Sequence, residues 1–243
     1  MNLMLISNST NAGEKYLGWC KDYINDFCKE HNVKKALFIP YAGVNINSES
    51  LKKSFDAYEE KVSNVFKTFN VSIKSVHRSN QPIKAVIEAD AIIVGGGNTF
   101  ALIDTLQKSG LMNAIREKVK NGTPYIGWSA GSNITCPTMM TTNDMPIIQP
   151  DSFDCLNLIP FQINPHYLDK NPEGHGGETR EQRILEFLVL NRKMYVAGLR
   201  ESCYLLLIDG KLTLHGPHSL RLFKYGEPIR ELNQKDDFNF LLK

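Results

Sequence analysis

The stretch Thr123-Pro124-Tyr125-Ile126-Gly127-Trp128-Ser129-Ala130-Gly131-Ser132-Asn133 contains the spacing Gly-x-Ser-x-Gly. That spacing suits a serine held on a sharp turn between a strand and a helix. A chain that nearly doubles back needs neighbours without bulk two positions either side, and glycine supplies both the unusual dihedrals and the close approach. The helix that follows would aim free N–H groups and the positive end of its dipole at charge developing near the Ser129 oxygen. The chemistry implied is nucleophilic attack. The same five residues also fit an ordinary glycine-flanked turn, so the surrounding chain decides.

A serine nucleophile needs a base. Of six histidines, His31 and His77 precede the key loops, and His215 and His218 lie in a β-rich terminal stretch. His166 and His175 follow the serine in loop-rich sequence, where sites gather. His175 sits among glycines, whereas His166 follows an apolar run and Pro165. The stiffer backbone favours His166 as general base. For the acid that orients it, Asp144, Asp154, Asp169, Glu178 and Glu201 are all downstream, and spacing does not choose among them. A second glycine-rich strand end, Gly95-Gly96-Gly97-Asn98-Thr99, leaves backbone N–H groups open. Beside a nucleophile this builds an oxyanion hole from Gly97 and Ala130, with Asn98 contributing. A phosphate-binding loop and a plain tight turn are the rival readings, although G-x-G-x-x-G is broken by Phe100 and no G-K-[ST] follows.

The elements that must position these groups follow from periodicity. Short apolar runs at residues 3–6, 36–39, 71–76 and 91–94 read as strands. Helical spacing occupies 13–30, 50–69, 82–88, 99–108 and 111–120. Strand–helix alternation predicts an α/β fold, with a mostly parallel sheet flanked by helices on both faces. Ligands in such sheets sit at the carboxyl ends of strands, where Ser129 and the triple glycine both fall. Beyond residue 136 the pattern loosens. A strand at 159–163, a helix at 178–190 and strands near 194–198, 203–208, 211–214 and 220–224 predict a β-rich C-terminal edge. No linker or repeat divides residues 1–243, so a single domain is expected.

Composition narrows the class. The chain has 243 residues, 42% hydrophobic and 22% charged, with a net charge of +2. Basic residues are scattered, which argues against nucleic acid or an anionic membrane as partner. Five cysteines without C-x-x-C spacing point to neither a disulfide framework nor a structural zinc. No apolar run reaches the ~18 residues of a membrane span. The expectation is a reduced, cytoplasmic protein, monomer or homodimer, with no cofactor and no metal.

Several segments taken together resemble the α-aspartyl dipeptidase (peptidase E) family of serine peptidases. They are Leu5-Ile6-Ser7-Asn8-Ser9-Thr10, Phe38-Ile39-Pro40-Tyr41-Ala42-Gly43-Val44, Val94 to Phe100, Tyr125 to Asn133, Thr141 to Pro146, Gln162 to His166, and Glu173 through Arg183. The resemblance fades after about residue 205. It implies a fold similar to class I glutamine amidotransferases and hydrolysis of dipeptides that begin with aspartate. Ser129 then matches the nucleophile, His166 the base, and Gly97 and Ala130 the oxyanion hole. The third member matches Asp144 or Glu201. Glu201 is favoured as the residue oriented on His166, which leaves Asp144 for the substrate's free amine. Arg180 matches a partner for the aspartyl carboxylate. Ser132 stands where the family pattern has alanine, a second hydroxyl able to reshape the pocket. The loops at 136–157 and 168–178 would separate α- from β-linked substrates, as in cyanophycinase-like relatives. A non-catalytic nucleotide-binding protein is the reading from another class.

Overall fold

A computed structural model describes residues 1–171, 173–174 and 176–243. The first half alternates as its periodicity predicts. Strands β1 (Asn2–Ile6), β2 (Lys35–Ile39), β3 (Ser72–Ser75), β4 (Ala91–Val94) and β5 (Tyr125–Trp128) are joined through helices α1 (Lys21–Glu30), α2 (Leu51–Phe66), α3 (Pro82–Glu88), α4 (Thr99–Lys108) and α5 (Leu111–Lys120). A one-turn helix α6 (Ala130–Asn133) follows β5. Then come β6 (Gln162–Tyr167), α7 (Arg180–Leu190), β7 (Tyr195–Arg200), β8 (Tyr204–Ile208), β9 (Lys211–His215), β10 (Leu220–Lys224) and β11 (Arg230–Leu232).

The main sheet has the order β3-β2-β4-β5-β1-β8-β9. Its first five strands are parallel, and β8 and β9 add an antiparallel edge. Strand periodicity sorts the side chains onto two faces. Leu3, Leu5, Leu37, Ile39, Ile92 and Val94 pack with α4 and α5. Met4, Ile6, Ala36, Phe38, Ala91 and Ile93 pack instead with α1 and α2. Because both faces are covered, the strands carry continuous apolar runs rather than an alternation.

The C-terminal stretch is β-rich, as expected, and its strands divide between two sheets. Only β8 and β9 join the main sheet; β11, β10, β7 and β6 form a separate four-stranded sheet in that order. One face of this second sheet shares a hydrophobic cluster with the first through Ile163, Ala197, Leu199 and Leu222. The other face is covered by Ile184 and Leu188 of α7. Two further boundaries differ. Residues 13–20 are turns rather than the first half of a helix, with Leu17 at φ +56° and still fully buried. The predicted strand at 159–163 begins instead at Gln162 and runs on through His166. Among the described residues no helix is long and apolar enough to cross a membrane.

Candidate active site

Ser129 leaves β5 at φ +54° and ψ −115°, and α6 begins at the next residue. This is a setting that L residues rarely adopt, held here because the turn is packed from all sides. A Cβ on Gly127 would overlap the Gly131 carbonyl, and one on Gly131 would overlap the Val94 carbonyl of β4. The two glycines therefore do what their spacing implied. Ser132 is fully buried, with its hydroxyl 2.7 Å from the Ile6 carbonyl and 2.8 Å from that of Gly127. It braces the elbow from behind and does not line the cavities beside Ser129, so it does not reshape them.

His166 comes from the second sheet. The pairing of β6 with β7 slips between Pro165 and Tyr167, and His166 sits in that bulge at φ +52°. Its N–H donates to Ser7 Oγ (2.9 Å), and the Ser7 hydroxyl donates to the Leu199 carbonyl (2.8 Å). Bulges re-aim side chains, and this one turns the imidazole toward the elbow. Nε2 lies 3.0 Å from Ser129 Oγ, and Nδ1 lies 2.7 Å from Glu201 Oε1. With Nδ1–H donated to the carboxylate, Nε2 is left free to accept the serine proton. Glu201 directly follows β7. Arg200 before it is clamped by Asp169 and Glu231, and the Ser202 N–H after it donates to Asn8 Oδ1 (2.8 Å).

Asp144 occupies a different position. Its Oδ2 accepts from the N–H (2.7 Å) and hydroxyl (2.5 Å) of Thr99, at the N-terminus of α4, and from the Thr142 hydroxyl (3.0 Å). It lines the cavities beside Ser129 but does not touch the His166 ring among the described contacts. A carboxylate at this helix start also disfavours the phosphate-loop reading, because the anion site is already filled. The loop carrying Asp144 is stitched to β6. Asn143 donates to the Pro165 carbonyl (2.6 Å), and Asn164 donates to Asn143 Oδ1 (2.7 Å) and to the Thr141 carbonyl (2.9 Å).

Gly97 adopts φ +130°, and a Cβ there would run into the Ala42 carbonyl. Neither its N–H nor that of Ala130 donates to another described residue. Ala130 follows Ser129 in the chain and lines one cavity with it, and Gly97 lines the other. Asn98 is spent elsewhere: its Oδ1 caps α4 by accepting from the Ala101 N–H (3.1 Å), and its Nδ2 donates to the Met145 carbonyl (2.9 Å). It lines neither cavity beside Ser129, and both ends of its amide are engaged within the protein. Asn98→Ala is expected to cost about 1 kcal/mol of stability and to change KM little, as chemical denaturation and steady-state kinetics would register.

Two cavities meet at Ser129. One of about 310 Å³ holds Arg180, the first residue of α7, opposite Asp144 and His166. Burial lowers the Arg180 guanidinium from its ordinary value, with Arg183 adding repulsion and Asp144 partly offsetting both. Arg180 makes no ion pair or hydrogen bond among the described residues. The other cavity, about 420 Å³, is walled by Tyr16, Tyr58 and Lys61, none of which the sequence singled out. Aromatic residues at helical spacing read as core, and a lone lysine as a solvated face. His175, the rival base, lies outside the described residues. A larger cavity, about 770 Å³, lies beside β3 and α3 and contains none of these groups.

Residues 3–215 match the model of peptidase family S51. The chain belongs to that family. It is 47% identical to peptidase E of Nostoc sp. over 99% of this chain and 96% of that one. It is 43% identical to peptidase E of Salmonella typhimurium over 93% and 95%. At the level of fold it is similar to a solved peptidase from an acI-B1 Actinobacterium (TM-score 0.70, 17% identity, 98% and 96% covered). A solved Listeria monocytogenes protein, provisionally assigned as a peptidase E, aligns with TM-score 0.61 at 22% identity over 89% and 98%. This S51 chain is a serine-type dipeptidase, a hydrolase of peptide bonds.

Proposed function

We propose that the chain, acting as one domain in the cytoplasm without a cofactor, hydrolyses dipeptides whose first residue is an α-linked aspartate. The observation that carries this reading is the unbroken contact chain from Ser129 Oγ through His166 to Glu201, at 3.0 and 2.7 Å. His166 takes the proton as Ser129 attacks the carbonyl, and Glu201 keeps the ring in the accepting tautomer. The Gly97 and Ala130 N–H groups receive the oxyanion. His166 then protonates the leaving amine, and water enters by the same route in reverse to release aspartate.

The specificity rests on charge. An N-terminal aspartate carries an ammonium and a carboxylate, and the 310 Å³ cavity presents Asp144 and Arg180. Arg180 is partly desolvated and offers a planar fork suited to a carboxylate. Asp144 has its Oδ2 occupied, and its Oδ1 meets no described donor. The test is hydrolysis of Asp-Leu beside β-Asp-Leu, Asn-Leu and Leu-Leu, with Ser129→Ala in parallel. The expected result is cleavage of Asp-Leu alone, lost in the variant. Preference for β-Asp-Leu would move the chain to the cyanophycinase-like reading. Ser129→Ala retaining near-wild-type rate would remove the nucleophile assignment.

A further inference from the structure

We propose that the second cavity at Ser129 is the leaving-group subsite, and that Lys61 in its wall binds the free C-terminal carboxylate of the substrate. This rests on the dipeptidase reading above and adds a second recognition point to it. Ser129, His166 and Asp144 line both cavities, so a bond under attack at Ser129 has one half on each side. If the aspartyl half faces Arg180, the leaving residue faces Tyr16, Tyr58 and Lys61. A dipeptide ends one residue past the scissile bond, and one extended residue spans about 3.4 Å. Its carboxylate therefore remains in this cavity, where the chemistry calls for a cation.

Lys61 has the properties of an unclaimed one. It makes no ion pair or hydrogen bond among the described residues, whereas Lys52 and Lys53 of the same helix pair with Asp56 and Glu49. The ammonium is not simply adrift in solvent. Nζ sits 4.2 Å from the centre of the Tyr16 ring, a cation–π contact that orders the side chain and still leaves its three donors free. The Tyr16 ring is fixed in turn: its hydroxyl donates to Tyr58 (3.3 Å), and it meets Trp128, the residue before the nucleophile, edge to face at 6.3 Å. The lysine is thus registered to Ser129 through a short packed path. Asp144, the one carboxylate lining this cavity among the described residues, already accepts from Thr99 and Thr142. It also borders the cavity that holds Arg180.

A cation at this distance past the scissile bond would select dipeptides over longer chains. A tripeptide places a neutral amide where Lys61 expects an anion and must carry its own carboxylate beyond the cavity. Lys61 is then a specificity-determining residue, and the effect belongs in KM.

The experiment compares kcat/KM for Asp-Leu and Asp-Leu-amide on each enzyme sample. Their ratio does not depend on how much of the sample is folded. The wild type is expected to favour the free acid by about tenfold, the order of one charge-assisted contact. Lys61→Met is expected to bring the ratio to about one, chiefly through KM for Asp-Leu, and Lys61→Arg to restore most of it. A wild-type ratio near one, or a Lys61→Met ratio equal to that of the wild type, would overturn the assignment. If the wild type cleaves neither substrate nor aspartyl p-nitroanilide, the proposal falls together with the aspartyl reading. Cleavage of aspartyl p-nitroanilide with indifference to the free carboxylate sinks the Lys61 subsite alone.

Discussion

Glu201→Gln is expected to lower kcat on Asp-Leu by about a thousandfold or more, with KM changed far less. Glu201 Oε1 is 2.7 Å from His166 Nδ1, and a carboxylate can only accept, so the proton resides on Nδ1 and Nε2 is basic toward Ser129 Oγ. A glutamine of the same size can turn its NH₂ toward Nδ1, which moves the ring proton to Nε2. The base is then lost without any change in shape. The corresponding amide substitution in a serine protease triad costs about four orders of magnitude. Here the Glu201 side chain is 46% exposed, so water screens its charge and the tautomer carries the effect. Asp144→Asn is the contrasting variant. Its oxygen accepts from Thr99 and Thr142 rather than from His166, so the change should appear mainly in KM. Steady-state kinetics of both variants on Asp-Leu separate the roles. A Glu201→Gln enzyme within tenfold of wild type would take Glu201 out of the triad.

The choice between those two acids illustrates what sequence can and cannot carry. The elbow was legible because its constraint is local: Gly127, Ser129 and Gly131 answer to clashes within five residues and one neighbouring strand. The parallel half of the sheet was legible for a similar reason, since burial on both faces writes itself into every strand as an apolar run. α4 and α5 begin and end where their periodicity placed them. Which of Glu201 and Asp144 meets His166 is a matter of tertiary placement: Glu201 directly follows β7, the partner of β6, whereas Asp144 lies on the loop before β6 and caps α4. That depends on β6 and β7 leaving the main sheet to pair with each other, a long-range choice with no local signature. The stiff backbone read at Pro165 points to His166, but not to its setting: the proline and histidine lie in a bulge within β6 whose irregular backbone aims the ring. Asn133, Thr141 and Asn164, buried and hydrogen-bonded around Ile163, were also invisible, because polar residues in loop-rich sequence read as solvent-facing. Their burial is what holds the Asp144 loop against β6.

The second large effect concerns the backbone rather than a side chain. Gly97→Ala is expected to lower kcat by about 10²–10³-fold, the loss associated with one misplaced oxyanion donor, while the melting temperature falls by only a few degrees. At φ +130° an alanine is strained, and its Cβ would run into the Ala42 carbonyl, which also receives the Asn98 N–H at 2.8 Å. Relieving both by rotating the Gly96–Gly97 peptide would turn the Gly97 N–H, which donates to no described residue and so is free for the oxyanion in the proposed mechanism. A trans peptide holds its C=O and N–H in opposite directions, so whatever fixes the Gly96 carbonyl also aims the Gly97 amide. Tyr58 does this: its hydroxyl donates to Gly96 O at 3.0 Å while accepting from Trp128 Nε1 at 3.1 Å, and burial raises its pKa and keeps it protonated. Tyr58→Phe leaves the ring but removes this bond together with those from Trp128 Nε1 and the Tyr16 hydroxyl, so it should reproduce a fraction of the Gly97→Ala loss in kcat. Gly97→Ala with wild-type kcat would mean that the oxyanion is met by other donors. Tyr58→Phe shifting KM alone would confine Tyr58 to the cavity wall.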